Sequence, residues 1–290
     1  MADYAFFTES TIDCYPELIA EIGCTVIPMT YNLDGKEYKN YPDNREMSVS
    51  EFYVQLKGGK MCTTSQLSTS EIYDILEPSV KEGKEVFYLA FSSGLSGTCQ
   101  SALIAANDLR EKYPGCVVEV VDSLQASMGE GLFAYYIGMK LKNGESVKDV
   151  AKWARDNVLN FAAWFTVDDL MFLKRGGRLS GGLAIAGTIL GIKPVLHVDN
   201  EGHLVNMAKV RGRKASLNAL IEKYASTAID KENNMVFVSH GDCVEDAEYV
   251  AEGCKKLGAP DVKIGTIGPV IGAHSGYKTV ALFFMTNNQR

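Results

Sequence analysis

The sequence lacks the short motifs that identify most nucleotide-binding proteins and hydrolases. No G-x-x-x-x-G-K-[ST] or G-x-G-x-x-G segment occurs, so ATP or dinucleotide binding through those loops has no support. No H-E-x-x-H or G-x-S-x-G segment occurs either, and Gly94-Leu95-Ser96-Gly97 is one residue short of the latter. We therefore predict no cofactor, no bound metal and no complete catalytic apparatus.

Disulfide, zinc and membrane signals are also missing. The seven cysteines form no C-x-x-C pair, and most lie in apolar runs, which fits buried reduced thiols better than a disulfide framework. The longest uncharged apolar stretch, Leu179 to Ile192, has 14 residues and is too short to span a bilayer. The N-terminal residues have no signal-peptide pattern. We expect a cytoplasmic protein with no integral membrane segment.

Basic residues are outnumbered by acidic ones. The chain has 29 lysines and arginines against 36 aspartates and glutamates, a net charge of −7, which excludes nucleic-acid binding over the whole surface. Two basic clusters remain. The cluster at 174–178 ends a helical pattern, where cations complement the dipole. The second cluster contains Lys209, Arg211, Arg213 and Lys214. It is suited to binding a phosphorylated partner, but a solvated basic turn explains it as well. Binding of nucleic-acid phosphates is the weakest of the three interpretations.

What the sequence does contain is an alternation of short apolar runs with longer amphipathic ones, which is typical of an α/β protein. Strand–loop–helix units in the first half favour a parallel sheet, whereas Asp199–Gly202 predicts an antiparallel hairpin in the second half. The length suits two domains. We predict an N-terminal parallel-sheet α/β domain over residues 1–158 and a C-terminal mixed-sheet α/β domain over residues 159–290. Among the predicted strands are Thr25–Tyr31 and Val117–Val121.

Clustered hydroxyl side chains follow several predicted strands. They occur in Thr8–Thr11, Thr63–Gln66, Ser92–Thr98 and Asp122–Ser127. Because the carboxyl ends of parallel strands share one edge, we expect these loops to meet and bind a small anion, carboxylate or phosphate. For any single loop, helix capping and turn formation explain the hydroxyls as well. Among the four histidines, the glycines around His274 favour it as a site residue on an apolar strand, whereas His197 and His203 are expected at the surface.

Taken together, these segments resemble the DegV family of bacterial fatty-acid-binding proteins over nearly the whole chain, about residues 3–287. The segments that carry the resemblance are Thr64-Ser65-Gln66, Ser92–Thr98, Asp122-Ser123, Leu173–Ser180, Lys193-Pro194, Lys209–Ala215 and Gly272–Gly276. The resemblance implies two α/β domains with a long-chain, palmitate-like fatty acid between them. It places the acid's carboxylate on Thr64 and Ser93, with His274 close by and Ser65 and Ser96 in the same loops.

The resemblance also bears on partners and on departures from the family pattern. Some relatives present the bound acid to a separate kinase that makes the acyl-phosphate, and we expect such a partner to dock on Arg211, Arg213 and Lys214. Leu67 stands where the family's T-S-Q-P segment has proline, and Tyr277-Lys278 replaces Pro-Gly after His274-Ser275-Gly276. The small and branched residues from Leu183 to Ile192 suit the wall of an apolar tunnel or, equally, an ordinary buried helix.

We therefore predict a fatty-acid carrier for lipid transport or metabolism rather than an enzyme. The competing hypothesis is an acyl or phosphoryl ester hydrolase. It requires Ser93 or Ser96 as nucleophile, His274 as base, and Asp122 or Glu9 to orient the histidine.

Overall fold

The structure is a computed structural model that describes residues 3–179 and 191–287. Its strands are β1 (Tyr4–Glu9), β2 (Thr25–Ile27), β3 (Met29–Leu33), β4 (Lys36–Asn40), β5 (Cys62–Ser65), β6 (Glu85–Ala90), β7 (Val118–Asp122), β8 (Phe161–Thr166), β9 (Ile192–Val198), β10 (Leu204–Arg211), β11 (Val236–His240), β12 (Val262–Thr266) and β13 (Val280–Met285). Its α-helices are α1 (Pro16–Ile22), α2 (Val49–Lys57), α3 (Thr69–Lys81), α4 (Thr98–Lys112), α5 (Met128–Lys142), α6 (Val147–Asn157), α7 (Met171–Arg175), α8 (Arg213–Thr227), α9 (Val244–Lys256) and α10 (Pro269–Ser275). Among the described residues, no helix combines the length and apolar character needed to cross a membrane.

The strands of the described residues form three sheets. The first sheet is parallel, with the order β2-β1-β6-β7. The second is a small antiparallel sheet with the order β4-β3-β5, and the third is a mixed sheet with the order β10-β9-β8-β13-β11-β12. This confirms the predicted fold class, a parallel sheet in the N-terminal half and a mixed sheet in the C-terminal half. The predicted boundary at residue 158 falls between the last strand of the first sheet and the first strand of the third, and it stays a prediction.

Strand β6 illustrates how the core is layered. Its side chains alternate, so that Phe87 and Leu89 point to one core cluster while Val86, Tyr88 and Ala90 point to another. The first of these clusters also contains the buried face of α5 and apolar residues of the third sheet, so a single core joins the two halves of the chain. Helices α8 and α9 cover the opposite face of the third sheet.

Local sequence signals for turns and caps are confirmed. Asp34 and Gly35 both have positive φ and connect the antiparallel strands β3 and β4, as expected of an Asp-Gly hairpin. Ser68 and Glu71 form the predicted capping box at the start of α3. The hairpin predicted at Asp199–Gly202 joins β9 to β10.

Two predicted elements near the N-terminus differ from the structure. The predicted strand Thr25–Tyr31 is divided at Pro28, so that β2 pairs in the first sheet and β3 in the second. Proline lacks the N–H that would continue the ladder. The Thr63–Gln66 segment, predicted as a loop at the edge of the parallel sheet, begins as strand β5 of the antiparallel sheet. Its β-branched threonines suit a half-buried strand.

For two histidines, the structure differs from the prediction in secondary structure or in burial. The segment around His274 is the helix α10 rather than a strand, because Pro269 occupies the first helical position after Gly268 and Gly276 ends the helix with φ 78°. His197, expected at the surface, is buried on β9, and its ring stacks on Trp164 with centroids 4.4 Å apart. Residues 194–198 of β9 are all buried because core clusters cover both faces of the mixed sheet, a feature that the position of His197 near a hairpin concealed.

Candidate ligand-binding site

A cavity of about 310 Å³ lies between the first two sheets and the third. Polar residues at one end of its wall are Thr64, Ser65, Gln66, Ser96, Arg178 and His274. Apolar residues form most of the rest, namely Met29, Phe91, Leu95, Ala126, Ala163, Phe165, Leu173, Val198, Leu204, Ile267, Val270, Ile271, Ala281 and Phe283. A mostly apolar cavity with one polar end is suited to an amphipathic ligand.

The polar end is organised by a contact between β5 and α10. Thr64 Oγ1 lies 2.8 Å from Nε2 of His274. Helix α10 presents His274 at its last turn, and Thr64 reaches it from a strand of the small sheet. This contact brings together two of the residues that the sequence predicted for the head group, and both line the cavity.

Arg178 gives the polar end its positive charge. Its Nε donates to the backbone oxygen of Leu95 at 3.2 Å, and its Nη1 donates to the backbone oxygen of Gly176, which fixes the guanidinium at the cavity wall. Burial, reinforced by the charge of Arg178, lowers the pKa of His274 to about 4. The histidine is therefore neutral at pH 7, and a cation and a neutral imidazole stand side by side.

The ring of His274 fits only because residue 176 is glycine. A Cβ atom at Gly176 would overlap Nδ1 of the ring. Among the described residues, Nδ1 of His274 has no hydrogen-bond partner, although it is buried. The glycine in the Lys174–Arg178 cluster thus has a specific packing role.

Ser96 and Gln66 complete the polar end. The hydroxyl oxygen of Ser96 accepts the N–H of Thr98 at 3.3 Å, at the start of the 15-residue helix α4, whose N-terminus carries a partial positive charge. Gln66 packs so closely on Gly97 that a Cβ there would overlap its amide oxygen. Ser65 also lines the cavity but is exposed, so the polar end lies near the surface.

A smaller cavity of about 170 Å³ adjoins the polar end and shares Thr64, Arg178 and His274 with the main cavity. Lys60 and Arg175 also line it. Both of these side chains are exposed. The polar end of the main cavity, which would hold a ligand's head group and is also called the head-group end below, therefore faces a cationic vestibule formed by Lys60 and Arg175.

The comparisons with known proteins agree on one family. The family model for uncharacterised proteins of the DegV family matches residues 4–287. The chain belongs to the DegV family. A DegV domain-containing protein of Clostridium perfringens is 39% identical over 286 residues, which cover 98% of each chain.

Solved DegV structures have the same fold. A DegV family protein from Thermus thermophilus, described as binding fatty acid, has a TM-score of 0.86 and 27% identity, with 99% of this chain and 100% of that chain covered. DegV from Bacillus subtilis, described as a fatty-acid-binding protein, has a TM-score of 0.82 and 28% identity over the same shares of the two chains.

Ser93, the DegV loop serine to which the resemblance gave the carboxylate, is not among the residues that line the cavity. Its side chain is exposed, and its backbone N–H donates to Asp122 Oδ1 at 3.2 Å. The same loop presents Ser96 to the cavity instead. The resemblance identified the loop, and its assignment of the carboxylate to Ser93 stays a prediction.

The carboxylates of the hydrolase hypothesis are engaged elsewhere. Asp122 accepts from the backbone N–H groups of Ser93 and Leu124, and Glu9 accepts from Tyr88 and the N–H of Phe91. In the described part of the chain neither carboxylate hydrogen-bonds to His274. The arrangement of nucleophile, base and orienting acid that the hypothesis requires is therefore not assembled there.

The basic segment at the end of β10 divides into two kinds of residue. Arg211 and Lys214 are exposed, but Arg213 is only 21% exposed and pairs with Asp246 at 2.8 Å. This ion pair links α8 to α9. Because Arg213 already pairs with Asp246, its side chain is less available than those of Arg211 and Lys214 for docking a partner protein.

Two further sequence features remain to be placed. Of the predicted tunnel segment Leu183–Ile192, residues 183–190 lie outside the described residues. At the position where the DegV pattern has glycine, Lys278 has φ 56°, a conformation that glycine adopts without strain. Tyr277 packs edge-on against Phe172, 6.0 Å between ring centroids, beside the smaller cavity.

Proposed function

We propose that this protein binds a long-chain fatty acid in the cavity between its sheets and carries it in lipid transport or metabolism. The observation that carries the proposal is the main cavity, whose polar end combines Arg178, Thr64 and Ser96 while most of its wall is apolar. The fatty-acid-binding relatives from Thermus thermophilus and Bacillus subtilis, similar over the whole chain, support the same ligand class.

The polar end satisfies a carboxylate that leaves water. A neutral His274 whose Nε2 carries the proton donates to Thr64, and the Thr64 hydroxyl then has its own proton free for a ligand oxygen. Ser96 accepts the backbone N–H of Thr98, and its hydroxyl also shares a hydrogen bond of 3.0 Å with the Thr98 hydroxyl. With Thr98 as the donor of that second bond, Ser96 keeps its proton for the ligand. Hydrogen bonds to a charged group are worth about 1.5–3 kcal/mol each, and Arg178 neutralises the charge.

The apolar wall supplies the larger part of the binding free energy. Burying about 14 methylene groups at roughly 0.8 kcal/mol each yields about 11 kcal/mol before the costs of association. That is enough for the acid to stay bound through purification.

A carrier role fits the chemistry of this site better than hydrolysis. His274 has a pKa of about 4 and has no carboxylate partner at Nδ1 in the described part of the chain, so it is a weak base for activating a serine. A serine-directed fluorophosphonate probe distinguishes the two functions. We expect no labelling, whereas stoichiometric labelling of Ser93 or Ser96 would favour the hydrolase.

The head-group assignment is tested with delipidated protein and two ligands of equal chain length. We expect palmitic acid to bind at least about tenfold more tightly than the corresponding fatty alcohol, because the alcohol lacks the charge that Arg178 compensates. Thr64→Val, which keeps the side-chain shape, should reduce this ratio. Equal affinities for acid and alcohol in the wild type would contradict the proposed polar end.

We further propose that the bound acid is presented to a separate kinase. The cationic vestibule formed with Lys60 and Arg175 supports this, because it would attract the phosphoryl group of a nucleotide beside the ligand carboxylate. Arg211 and Lys214, both exposed, supply a docking surface for that partner.

A further inference from the structure

The main cavity contains a second polar feature away from its head-group end. Four hydroxyl residues, Thr11, Ser127, Ser275 and Thr279, line the cavity wall and are named here the hydroxyl strip. Ser127 and Ser275 are only 3% and 6% exposed, and Thr11 and Thr279 are buried as deeply. A purely apolar chain requires none of them, and their burial against it costs free energy.

Three of the four hydroxyls have already committed their protons. Thr11 donates to Glu130 Oε2 at 2.9 Å. Ser127 donates to Asp13 Oδ2 at 2.6 Å or, when Asp13 is protonated, to Ser239 Oγ at 2.9 Å. Thr279 donates to the backbone oxygen of Ser275 at 2.9 Å. A hydroxyl whose proton is engaged offers only oxygen lone pairs to a ligand, so this part of the wall accepts hydrogen bonds.

Ser275 is the exception within the strip. Its hydroxyl oxygen is buried and has no hydrogen-bond partner among the described residues. A buried polar group without a partner costs free energy, which a ligand group that bonds to it would recover. Ser275 follows His274 directly, so it lies at the end of the strip nearest the head group.

Helix α10 connects the support of Ser127 to Ser275. Asp13, which holds Ser127, also accepts the N–H of Gly268 at 2.9 Å, immediately before α10. Ser275 is the last residue of that helix. The seven residues of α10 span on the order of 10 Å, so the support of Ser127 and the side chain of Ser275 lie near opposite ends of that helix.

Ser127 is held in place at a conformational cost. Its backbone has φ 55° and ψ −146°, a region that is essentially confined to glycine. The contacts of its hydroxyl with Asp13 and with Ser239, 2.9 Å away, fix the strained residue at the wall. Strain of this kind persists where the surrounding structure over-determines it, as at ligand contacts.

We propose that the hydroxyl strip recognises a hydroxyl group on the acyl chain, so that the preferred ligand is a hydroxylated fatty acid rather than a plain saturated one. This inference rests on the proposed fatty-acid binding and specifies the ligand class. The ligand hydroxyl donates to the oxygens of Thr11 or Ser127, or exchanges a hydrogen bond with Ser275 nearer the carboxylate. A keto group at the same carbon has no proton to donate and gains nothing at Thr11 or Ser127.

The test uses delipidated full-length protein and a competition assay with hexadecanoic acid and its monohydroxy and keto derivatives. The substituent is placed next to the carboxylate, in mid-chain or at the terminal carbon. We expect at least one hydroxy isomer to bind about tenfold more tightly than the plain acid, and its keto counterpart to show no such gain. If every hydroxy isomer binds no more tightly than the plain acid, the inference is wrong. If the plain acid and all derivatives fail to bind, the proposed function itself fails.

Two variants locate the contact. Ser275→Ala removes a hydroxyl that has no hydrogen-bond partner in the described part of the chain, so we expect the fold to be preserved. The variant should lower the hydroxy-to-plain affinity ratio for isomers substituted near the carboxylate. Ser127→Gly relieves the strained backbone and should lower the same ratio for isomers substituted farther along the chain. An unchanged ratio in both variants would contradict the assignment.

Discussion

The hydroxyl of Thr64 and the imidazole of His274 lie 2.8 Å apart, although 210 positions separate them in the chain. The contact joins a strand of the small antiparallel sheet to the helix that precedes the last strand of the mixed sheet. Because each side chain comes from a different half of the protein, the head-group end of the cavity exists only when the two halves are packed together.

Ser96 and Ser93 form a matched pair of variants within one loop. Ser96→Ala removes a hydroxyl that lines the cavity, and we expect fatty-acid affinity to fall by about one to two powers of ten. Ser93→Ala removes an exposed hydroxyl outside the lining and should leave affinity within about twofold. Isothermal titration of both delipidated variants decides between them. If Ser93→Ala loses affinity and Ser96→Ala does not, the ligand carboxylate binds Ser93, as the family resemblance first implied.

Arg178→Gln tests the cation at the polar end. Removing a charge that compensates the ligand carboxylate should weaken fatty-acid binding at least about tenfold. The same charge helps to lower the pKa of His274, so in the ligand-free variant that pKa should rise from about 4 while staying below 6.5, because burial remains. Nuclear magnetic resonance titration of the His274 ring measures this shift. An unchanged pKa together with unchanged affinity would place Arg178 outside the site.

Local sequence signals predicted the fold well and the site only in part. The Asp34-Gly35 turn and the Ser68 capping box depend on residues within one turn of each other, so the sequence suffices to predict them. The pairing of Thr64 with His274 depends on sheet packing across the chain, and only the family resemblance brought these residues together. Arg178 was missed because a cation after a helix is already explained by the helix dipole.

The acidic group behind the cavity makes stability depend on pH. Burial raises the pKa of Asp13 to about 7 from an ordinary value of 3.8. Between these values the folded state holds a proton that the unfolded state has lost, so the free energy of unfolding falls as pH rises, by up to about 1.4 kcal/mol per pH unit, and levels off above pH 7. Glu9, with a pKa of about 7, acts in the same direction, and His274 acts in the opposite one.

Asp13→Asn isolates the contribution of that carboxyl. The amide oxygen still accepts the N–H of Gly268, but the side chain cannot ionise. The free energy of unfolding of the variant should therefore lack the pH dependence that Asp13 contributes. Urea unfolding of delipidated protein at a series of pH values should show the variant gaining stability on the wild type between pH 4 and pH 7. Parallel curves for the two proteins would mean that Asp13 does not titrate in this window.

A variant of Arg211 distinguishes docking of the kinase from binding of the fatty acid. Arg211→Ala removes an exposed side chain outside the cavity lining, so we expect unchanged fatty-acid affinity but slower acyl-phosphate formation when a cognate kinase and ATP are added. Arg213→Ala is the contrasting variant, because loss of the ion pair with Asp246 should lower thermal stability. The docking surface is misplaced if Arg211→Ala empties the cavity, or if it leaves the kinase rate untouched.

The most direct test of the account is to identify what the protein carries when it is isolated from cells. Native mass spectrometry gives the mass of the complex, and denaturing extraction followed by mass spectrometry identifies the released molecule. We predict one long-chain fatty acid per protein chain, with a lower occupancy in Arg178→Gln protein. A wild-type cavity that is empty, or one that holds a nucleotide in place of a fatty acid, would contradict the central claim.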